Sequence, residues 1–252
     1  MKFLLSVIAA LIVAIKISNS VEIECFFDNE LLFDDMKVVY TCTVLHLTTN
    51  QADRNITKLT PTDERSHSVD KNNEVYQLYI IHQKMEYFPR GFTDYFKNIE
   101  AIHAGMNELK YLERDDMKDF QKLRFLYLYS NHLENLQSDV FLDNLELEYV
   151  SFYNNRLMHI GSKLLTPLKK LRTAYFNKNI CIDKQAVQSF KEVAEIRLEI
   201  SDRCSDITDE DLMNVLKQNQ DKIVSLEGVV SMINQQLFEM IQHFNLSNKT
   251  EL

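Results

Sequence analysis

The stretch that decides the fold is LRFLYLYSNHLENL, residues 123–136, and its pattern returns as LEYVSFYNNRLMHI at residues 147–160. In the first copy, Leu126 and Leu128 alternate with larger side chains, which is typical of a short strand that buries one face. Asn131 follows the strand, and further leucines lie beyond it. A unit this short cannot bury its own apolar face, so successive units are expected to stack on one another.

The same unit recurs every 24 residues across residues 75–180. Its first position is apolar five times in register, at Val75, Ile99, Leu123, Leu147 and Leu171. Its ninth position carries an amide side chain, at Gln83, Asn107, Asn131, Asn155 and Asn179. An amide can donate to and accept from the backbone groups of a turn, which explains a polar residue there. Gln83 departs from asparagine, so the pattern does not specify the first turn.

This pattern, L-x-x-L-x-L-x-x-N-x-L, resembles that of secreted leucine-rich-repeat proteins. The resemblance implies an α/β solenoid, a leucine-rich-repeat stack of about five 24-residue repeats with disulfide caps. The seven-residue repeat described below adds a long C-terminal helix. Residues 21–74 would form the N-terminal cap and edge, with an irregular polar segment at 48–74, and residues 181–205 the C-terminal cap. Repeats followed by a coiled coil also resemble insect leucine-rich immune proteins.

Four cysteines, Cys25, Cys42, Cys181 and Cys204, allow three disulfide pairings. A disulfide requires Cα atoms within about 7 Å. A stack of five strands about 4.8 Å apart separates its ends by roughly 20 Å. If the repeats stack, the sequence therefore predicts Cys25–Cys42 in one cap and Cys181–Cys204 in the other. No metal site is expected, because the cysteines and histidines do not cluster at ligand spacing.

The strand positions between the aliphatic ones are expected to line the concave side of the stack. We predict that a partner binds to the aromatic residues among them: Tyr79, His103, Phe125, Tyr127, Tyr129, Tyr149, Tyr153 and Tyr175. A contiguous exposed aromatic surface is unusual on a soluble monomer unless something covers it, and tyrosine loses little rotamer entropy on binding. The alternative, that tyrosine is there because it suits half-exposed strands, stays open.

Residues 1–20 have the features of a secretory signal peptide. Lys2 precedes the apolar run 3–15, and the small residues Ser18 and Ser20 precede the expected cleavage site. A helix over that run rises about 20 Å, too little to cross a hydrocarbon core of about 30 Å. We expect a secreted, extracellular protein without a membrane span, with glycosylation acceptors at Asn55, Asn245 and Asn248.

Residues 206–246 carry a seven-residue apolar repeat, which predicts a coiled-coil or amphipathic helix. The residues expected to support homo- or hetero-oligomers are Leu216, Ile223, Leu226, Val230, Ile233 and Leu237. The sequence leaves open whether this helix pairs with another chain or folds back onto its own repeats.

Composition and motifs narrow the class of function. The 252 residues carry a net charge of −9, the opposite of what a nucleic-acid-binding protein requires. Metalloprotease, serine-hydrolase, phosphate-loop and dinucleotide-binding motifs do not occur, so we expect neither an enzyme nor a cofactor. The sequence predicts a secreted binding protein that recognises a protein or other macromolecule, and the resemblance points to innate immunity. The alternative is a structural extracellular protein assembled through its C-terminal coiled coil.

Overall fold

The computed structural model describes residues 21–32, 37–49, 54–63 and 68–205, together with Val230. The chain divides into two compact units, Met1–Ser205 and Asp206–Leu252. The proposed signal peptide, the acceptors Asn245 and Asn248, and all of the predicted C-terminal helix except Val230 fall outside the described residues. Val230 itself is helical and exposed.

Thirteen strands and a few short helices make up the described part of the first unit. The strands are β1 Val21–Leu32, β2 Lys37–Val44, β3 Thr48–Thr49, β4 Ile56–Pro61, β5 Val75–Tyr79, β6 Lys84–Met85, β7 Ala101–His103, β8 Phe125–Tyr127, β9 Asn135–Leu136, β10 Tyr149–Ser151, β11 His159–Ile160, β12 Thr173–Tyr175 and β13 Gln185–Ala186. The helices are a 3-10 helix Val69–Glu74, α1 Phe92–Tyr95, α2 Arg114–Met117, α3 Phe190–Glu199 and a π-helical turn Ile200–Cys204. Nine of the strands form one sheet in the order β13-β12-β10-β8-β7-β5-β2-β1-β4.

The middle of this sheet is a parallel-strand solenoid. Strands β5, β7, β8, β10 and β12 are parallel, and each pairs with the next at a register of one repeat, so Tyr79 lies beside His103 and His103 beside Tyr127. The inward residues of these strands are fully buried and form one continuous core: Leu78, Ile102, Leu126, Val150 and Ala174. The spacing seen in the sequence is therefore the spacing of the stacked coils.

Hydrogen bonds between coils explain why asparagine recurs at the ninth position of the repeats. The amide of Asn131 donates to the carbonyl oxygens of Ala104 and Leu128 at 2.9 and 3.1 Å. Its Oδ1 accepts from the Leu109 N–H at 3.0 Å. Each asparagine thus satisfies backbone groups of its own turn and of the preceding coil, as the residue type predicts.

Gln83 makes the equivalent turn contacts in the first repeat. Its Nε2 donates to the carbonyl of Ile81 at 3.0 Å, and its Oε1 accepts from the Leu47 N–H at 2.8 Å. The longer side chain reaches Leu47, which belongs to the N-terminal cap rather than to a repeat. Gln83, where the other repeats have asparagine, therefore links the N-terminal cap to the first coil.

The N-terminal cap is more regular than the sequence indicates. Strands β1 and β2 form an antiparallel hairpin joined by the Cys25–Cys42 disulfide, whose Cα atoms are 5.3 Å apart. Segment 48–74, expected to be an irregular edge, instead contains β4, which pairs in parallel with β1, and the 3-10 helix. The expectation of an irregular segment was wrong. Buried and exposed side chains hardly alternate along β4, where one residue is buried and the rest are exposed or half-buried, so the sequence carries little sign of a strand.

A buried ion cluster anchors this cap to the second coil. Asp116, whose side chain is fully buried, lies 2.6 Å from Nε of Arg90 and 3.3 Å from Nη1 of Arg54. Glu113 lies within 2.9 Å of both arginines and begins α2 with a capping box that pairs it with Asp116. The two arginines offset part of the desolvation of the buried carboxylate, and burial still raises the pKa of Asp116.

The C-terminal cap closes the other end. Strand β13 turns back antiparallel to β12, and Ser189 caps the N-terminus of α3, its hydroxyl accepting from the Glu192 N–H at 3.2 Å. Val193 and Ile196 of α3 are buried. The Cys181–Cys204 disulfide, with Cα atoms 5.3 Å apart, completes the predicted pairing.

Candidate functional site

The outward strand positions form three columns across the sheet. The first contains Gln77, Ala101, Phe125, Tyr149 and Thr173, and the second Tyr79, His103, Tyr127, Ser151 and Tyr175. The third, one step beyond the strands, contains Ile81, Gly105, Tyr129, Tyr153 and Asn177. The eight aromatic and histidine residues that the sequence singled out thus stand in neighbouring columns.

Five of these rings form a continuous row. Their centroids are separated by 5.5 Å from Tyr79 to His103, 3.9 Å from His103 to Tyr127, 4.6 Å from Tyr127 to Tyr149 and 5.7 Å from Tyr149 to Tyr175. The three longer distances lie in the range of attractive ring contacts, about 4.5 to 7 Å, and the closer pair, His103 and Tyr127, is stacked with 14° between the ring planes. The row crosses all five coils and holds its members in fixed positions.

Part of the aromatic surface is not exposed, which corrects the sequence prediction. Phe125 is only 1% exposed, and Tyr127 and His103 are 6% exposed each. Phe125 and Tyr127 belong to a second apolar cluster with Ala101 and two residues of the β1–β2 hairpin, Leu32 and Val39. The hairpin extends beyond the start of β5 and packs on the concave side, a contact between distant segments that strand periodicity cannot reveal.

The exposed remainder consists of five tyrosines. Tyr79, Tyr129, Tyr149, Tyr153 and Tyr175 are all half-buried, and we call this set the tyrosine surface. Lys178 lies at its border, with Nζ 5.0 Å from the centre of the Tyr153 ring. A hydrogen bond to the Tyr153 hydroxyl raises the pKa of Lys178, so the ammonium stays charged there. The surface can therefore offer aromatic area, hydroxyl groups and one positive charge.

Gly105 positions one ring of this surface. A Cβ atom at Gly105 would lie 2.7 Å from Cζ of Tyr129, closer than real contacts allow. The Tyr129 ring therefore lies over the glycine backbone of the preceding coil. Burial of this ring, and then the nearby Tyr79, raises the pKa of Tyr129, so its hydroxyl stays protonated and able to donate.

His103 is neutral in the fold. Desolvation lowers its pKa to about 4, because its neighbours in the row are rings and supply no countercharge. Its Nε2 is buried without a hydrogen-bond partner, as is Oε1 of Gln77. His103 is thus a packing element beneath the tyrosine surface, and its predicted role in partner contact is not supported by its burial.

A charged column borders the aromatic columns and was missed by the sequence reasoning. Arg124 contacts Glu148 at 2.7 Å and Glu100 at 3.4 Å, and Arg172 contacts Glu148 at 2.8 Å. These four residues directly precede their strands and alternate in sign. The guanidinium of Arg124 also lies 4.8 Å from the centre of the Phe125 ring. The 24-residue period, applied to charged residues, would have found this column.

The predicted glycosylation acceptor Asn55 is exposed and directly precedes β4. Among the described residues, no group of three or more His, Cys, Asp or Glu side chains is arranged to hold a metal ion. In the same part of the chain, none of the helices has the length and apolar character needed to span a membrane.

Comparison with known proteins finds similar solved structures but no matching family. No protein-family model matches the chain, and no curated protein matches it. Two solved structures of the Toll - Spatzle complex, described as a molecular hub in Drosophila development and innate immunity, contain chains similar to this one. One is 16% identical, covers 51% of this chain and 18% of its own, and has a TM-score of 0.40. The other, a glycosylated form, is 18% identical, covers 54% and 19%, and has a TM-score of 0.41. This chain therefore spans less than a fifth of the length of either neighbour.

Proposed function

We propose that the protein is an extracellular binding protein that captures a protein or other macromolecular partner on the tyrosine surface. The observation that carries the proposal is the tyrosine surface, whose five partly exposed tyrosines come from four of the five coils and stand in neighbouring columns. The mechanism is recognition without chemistry, so neither a catalytic residue nor a cofactor is assigned.

The physical properties of the surface favour recognition. Tyrosine combines a large apolar ring with a hydroxyl that both donates and accepts, and it has few rotamers to lose on binding. Here the rings are further restricted by contact with one another and by the rigid sheet below them. A surface ordered before binding loses less entropy when a partner arrives. Lys178 adds a preference for partners with an acceptor or an acidic group near the border.

Two features support the extracellular location. Both pairs of cysteines are joined as disulfides, which persist in oxidising compartments. Residues 1–20 also have the pattern of a secretory signal. Innate immune recognition is the biological setting that the resemblance to insect leucine-rich immune proteins suggests.

The test is a triple variant of the exposed rings, Tyr129→Ser, Tyr153→Ser and Tyr175→Ser. The secreted protein is immobilised, partners are captured from extracellular fluid of its source, and the dissociation constant of each purified partner is measured. We expect the triple variant to weaken binding by at least about 100-fold, because a tyrosine that is a hot spot of an interface contributes about 2 kcal/mol or more.

The matched control replaces Tyr87 and Tyr111 by serine. These two rings also stack, at 5.1 Å, but lie outside the nine-stranded sheet. We expect this double variant to bind normally. Equal affinity of the triple variant and the unmodified protein would reject the tyrosine surface as the binding site.

A second proposal concerns residues 206–246, whose apolar heptads favour pairing of this segment in a coiled coil. This assembly is the basis of the alternative role as a structural extracellular protein. Light scattering of chains ending at Ser205 and at Leu252 tests it. The chain ending at Leu252 is expected to form a larger oligomer than the chain ending at Ser205. Association through the heptads would be excluded if both chains were monomeric.

A further inference from the structure

The far end of the β1–β2 hairpin covers the middle of the aromatic row. Leu32 and Val39 are buried, and they pack with Ala101, Phe125 and Tyr127 in the second apolar cluster. This cluster is separate from the continuous core between the coils. The two hairpin residues therefore cover three outward side chains of the solenoid without belonging to its core.

Side chains, rather than a backbone ladder, attach this part of the hairpin to the sheet. The paired segments 30–32 and 37–39, which we call the hairpin end, are antiparallel partners of each other. Strand β2 meets β5 only from Tyr40 onwards, where Tyr40 lies beside Val75. Among the described residues, no strand of the solenoid pairs with the hairpin end. Besides the apolar contacts, Nζ of Lys37 lies 5.3 Å from the centre of the Tyr76 ring.

The base of the hairpin is fixed independently of its end. The Cys25–Cys42 disulfide joins the two strands there, and β4 pairs with β1 along the same part of the strand, from Val21 to Cys25. The ladder between β2 and β5 also lies on this side. The hairpin end can therefore leave the sheet while the rest of the cap stays assembled.

The covered region contains two polar atoms that lack a hydrogen bond. Gln77 lies beside Ala101 in the first column, and His103 stacks on Tyr127 at 3.9 Å. Oε1 of Gln77 and Nε2 of His103 are buried, and neither has a hydrogen-bond partner in the part of the chain that the structure describes. Such burial has a cost that contact with water removes. Displacing the hairpin end therefore loses apolar burial but opens a path for water to these two atoms.

We propose that the hairpin end is an autoinhibitory cover, which opens to expose Phe125 and Tyr127 and so makes the whole aromatic row available to a partner. In the covered form the exposed surface is interrupted at Tyr127, which lies between the partly exposed Tyr79 and Tyr149. The inference rests on the proposed function for its effect on binding. The opening itself is measured without a partner.

The first experiment detects the opening by thiol labelling of the full chain. Ala101→Cys places a thiol beneath the hairpin end, and Ala104→Cys places one in the core between the coils. Both alanines are fully buried, and the four natural cysteines form disulfides, so each variant has one free thiol. We expect iodoacetamide to label Ala101→Cys at least about tenfold faster than Ala104→Cys, because local opening is more frequent than global unfolding. Equal rates would overturn the proposal.

The second experiment shifts the cover with two matched substitutions in β2. Val39→Gln puts an amide into the buried contact, whereas Val38→Gln puts the same group at a position that is 62% exposed. Since an unpartnered amide is costly to bury, we expect Val39→Gln to raise the labelling rate of Ala101→Cys at least about tenfold, and Val38→Gln to change it less than about twofold. The labelling rate of Ala104→Cys should respond to neither. An equal rise at Ala104→Cys would contradict a local cover.

The third experiment separates this inference from the proposed function. It uses the purified partner from the capture experiment with the tyrosine variant. Val39→Gln should bind this partner at least about threefold more tightly than Val38→Gln, because part of the cost of opening is already removed. Equal or weaker binding, with the tyrosine triple variant still defective, would reject the inhibitory role alone. Unimpaired binding of the triple variant would reject the tyrosine surface, whatever the labelling rates show about the hairpin end.

Discussion

Acidification should destabilise the fold through His103, the buried imidazole in the row of rings. Desolvation lowers its pKa to about 4 from the ordinary 6.5. As the pH falls, His103 therefore becomes protonated near pH 6.5 in the unfolded chain but only near pH 4 in the folded chain. The stability that His103 contributes is complete above pH 6.5 and falls progressively as the pH is lowered towards 4.

The size of the effect follows from the shift in pKa. One pKa unit corresponds to about 1.4 kcal/mol, so lowering the pH from about 7.5 to about 4.5 should remove about 2 to 3 kcal/mol through this residue. That is a large fraction of the stability of an ordinary domain, which is about 5 to 15 kcal/mol.

The assay is urea unfolding at a series of pH values, with the disulfides intact. In His103→Phe the aromatic contacts with Tyr79 and Tyr127 are retained, while the titrating group and the unpartnered Nε2 are lost. Burial raises the pKa of Asp116, whose contribution has the opposite sign, and comparing variant with parent cancels it.

We expect His103→Phe to lose about 2 to 3 kcal/mol less than the parent over that pH range. His46→Gln, at an exposed histidine, serves as the control and should follow the parent. Parallel pH profiles for the parent and His103→Phe would refute the reasoning, because they would mean that the imidazole is hydrated or paired in the fold.

Three further predictions follow from single contacts. Gly105→Ala should displace the Tyr129 ring and weaken partner binding about tenfold, with the melting temperature nearly unchanged because a flexible ring can move; unchanged binding would mean that this ring is not at the interface. Asn131→Ala leaves the buried Leu109 N–H without its acceptor, whereas the carbonyl oxygens of Ala104 and Leu128 keep the amides of Asn107 and Asn155, so the free energy of unfolding in urea should fall by about 1 to 3 kcal/mol; a loss below about 0.5 kcal/mol would show that water replaces the amide. Met106 has φ of 53°, so Met106→Gly should raise stability by about 0.5 to 1 kcal/mol, whereas Met106→Val should lower it.

The left-handed residues show how local strain is distributed along the solenoid. His82, Met106, Ser130, Asn154 and Lys178 all have φ between 53° and 58°, and each directly precedes the amide residue of its turn. The conformation is unfavourable for side chains with a Cβ atom. The hydrogen bonds of the following amide stabilise the turn and offset this cost.

The sequence by itself determined the repeating part of the molecule. Stacked coils bring residues 24 apart into contact, so Leu78, Ile102 and Leu126 could be assigned to one core from their spacing alone. The length of the stack also excluded disulfides between its two ends, which left the pairs Cys25–Cys42 and Cys181–Cys204. These conclusions rest on contacts between neighbouring coils, which a fixed period records in the linear chain.

Only the tertiary structure decided which aromatic residues are accessible. Phe125 and Tyr127 occupy outward strand positions, yet Leu32 and Val39 of a hairpin nearly a hundred residues earlier pack with them. Strand β4 likewise joins the sheet although its own sequence shows little alternation. The burial of a strand face depends on which distant segment packs against it. The β1–β2 hairpin lies outside the 24-residue repeat, so the repeat pattern could not predict its contact with Phe125 and Tyr127.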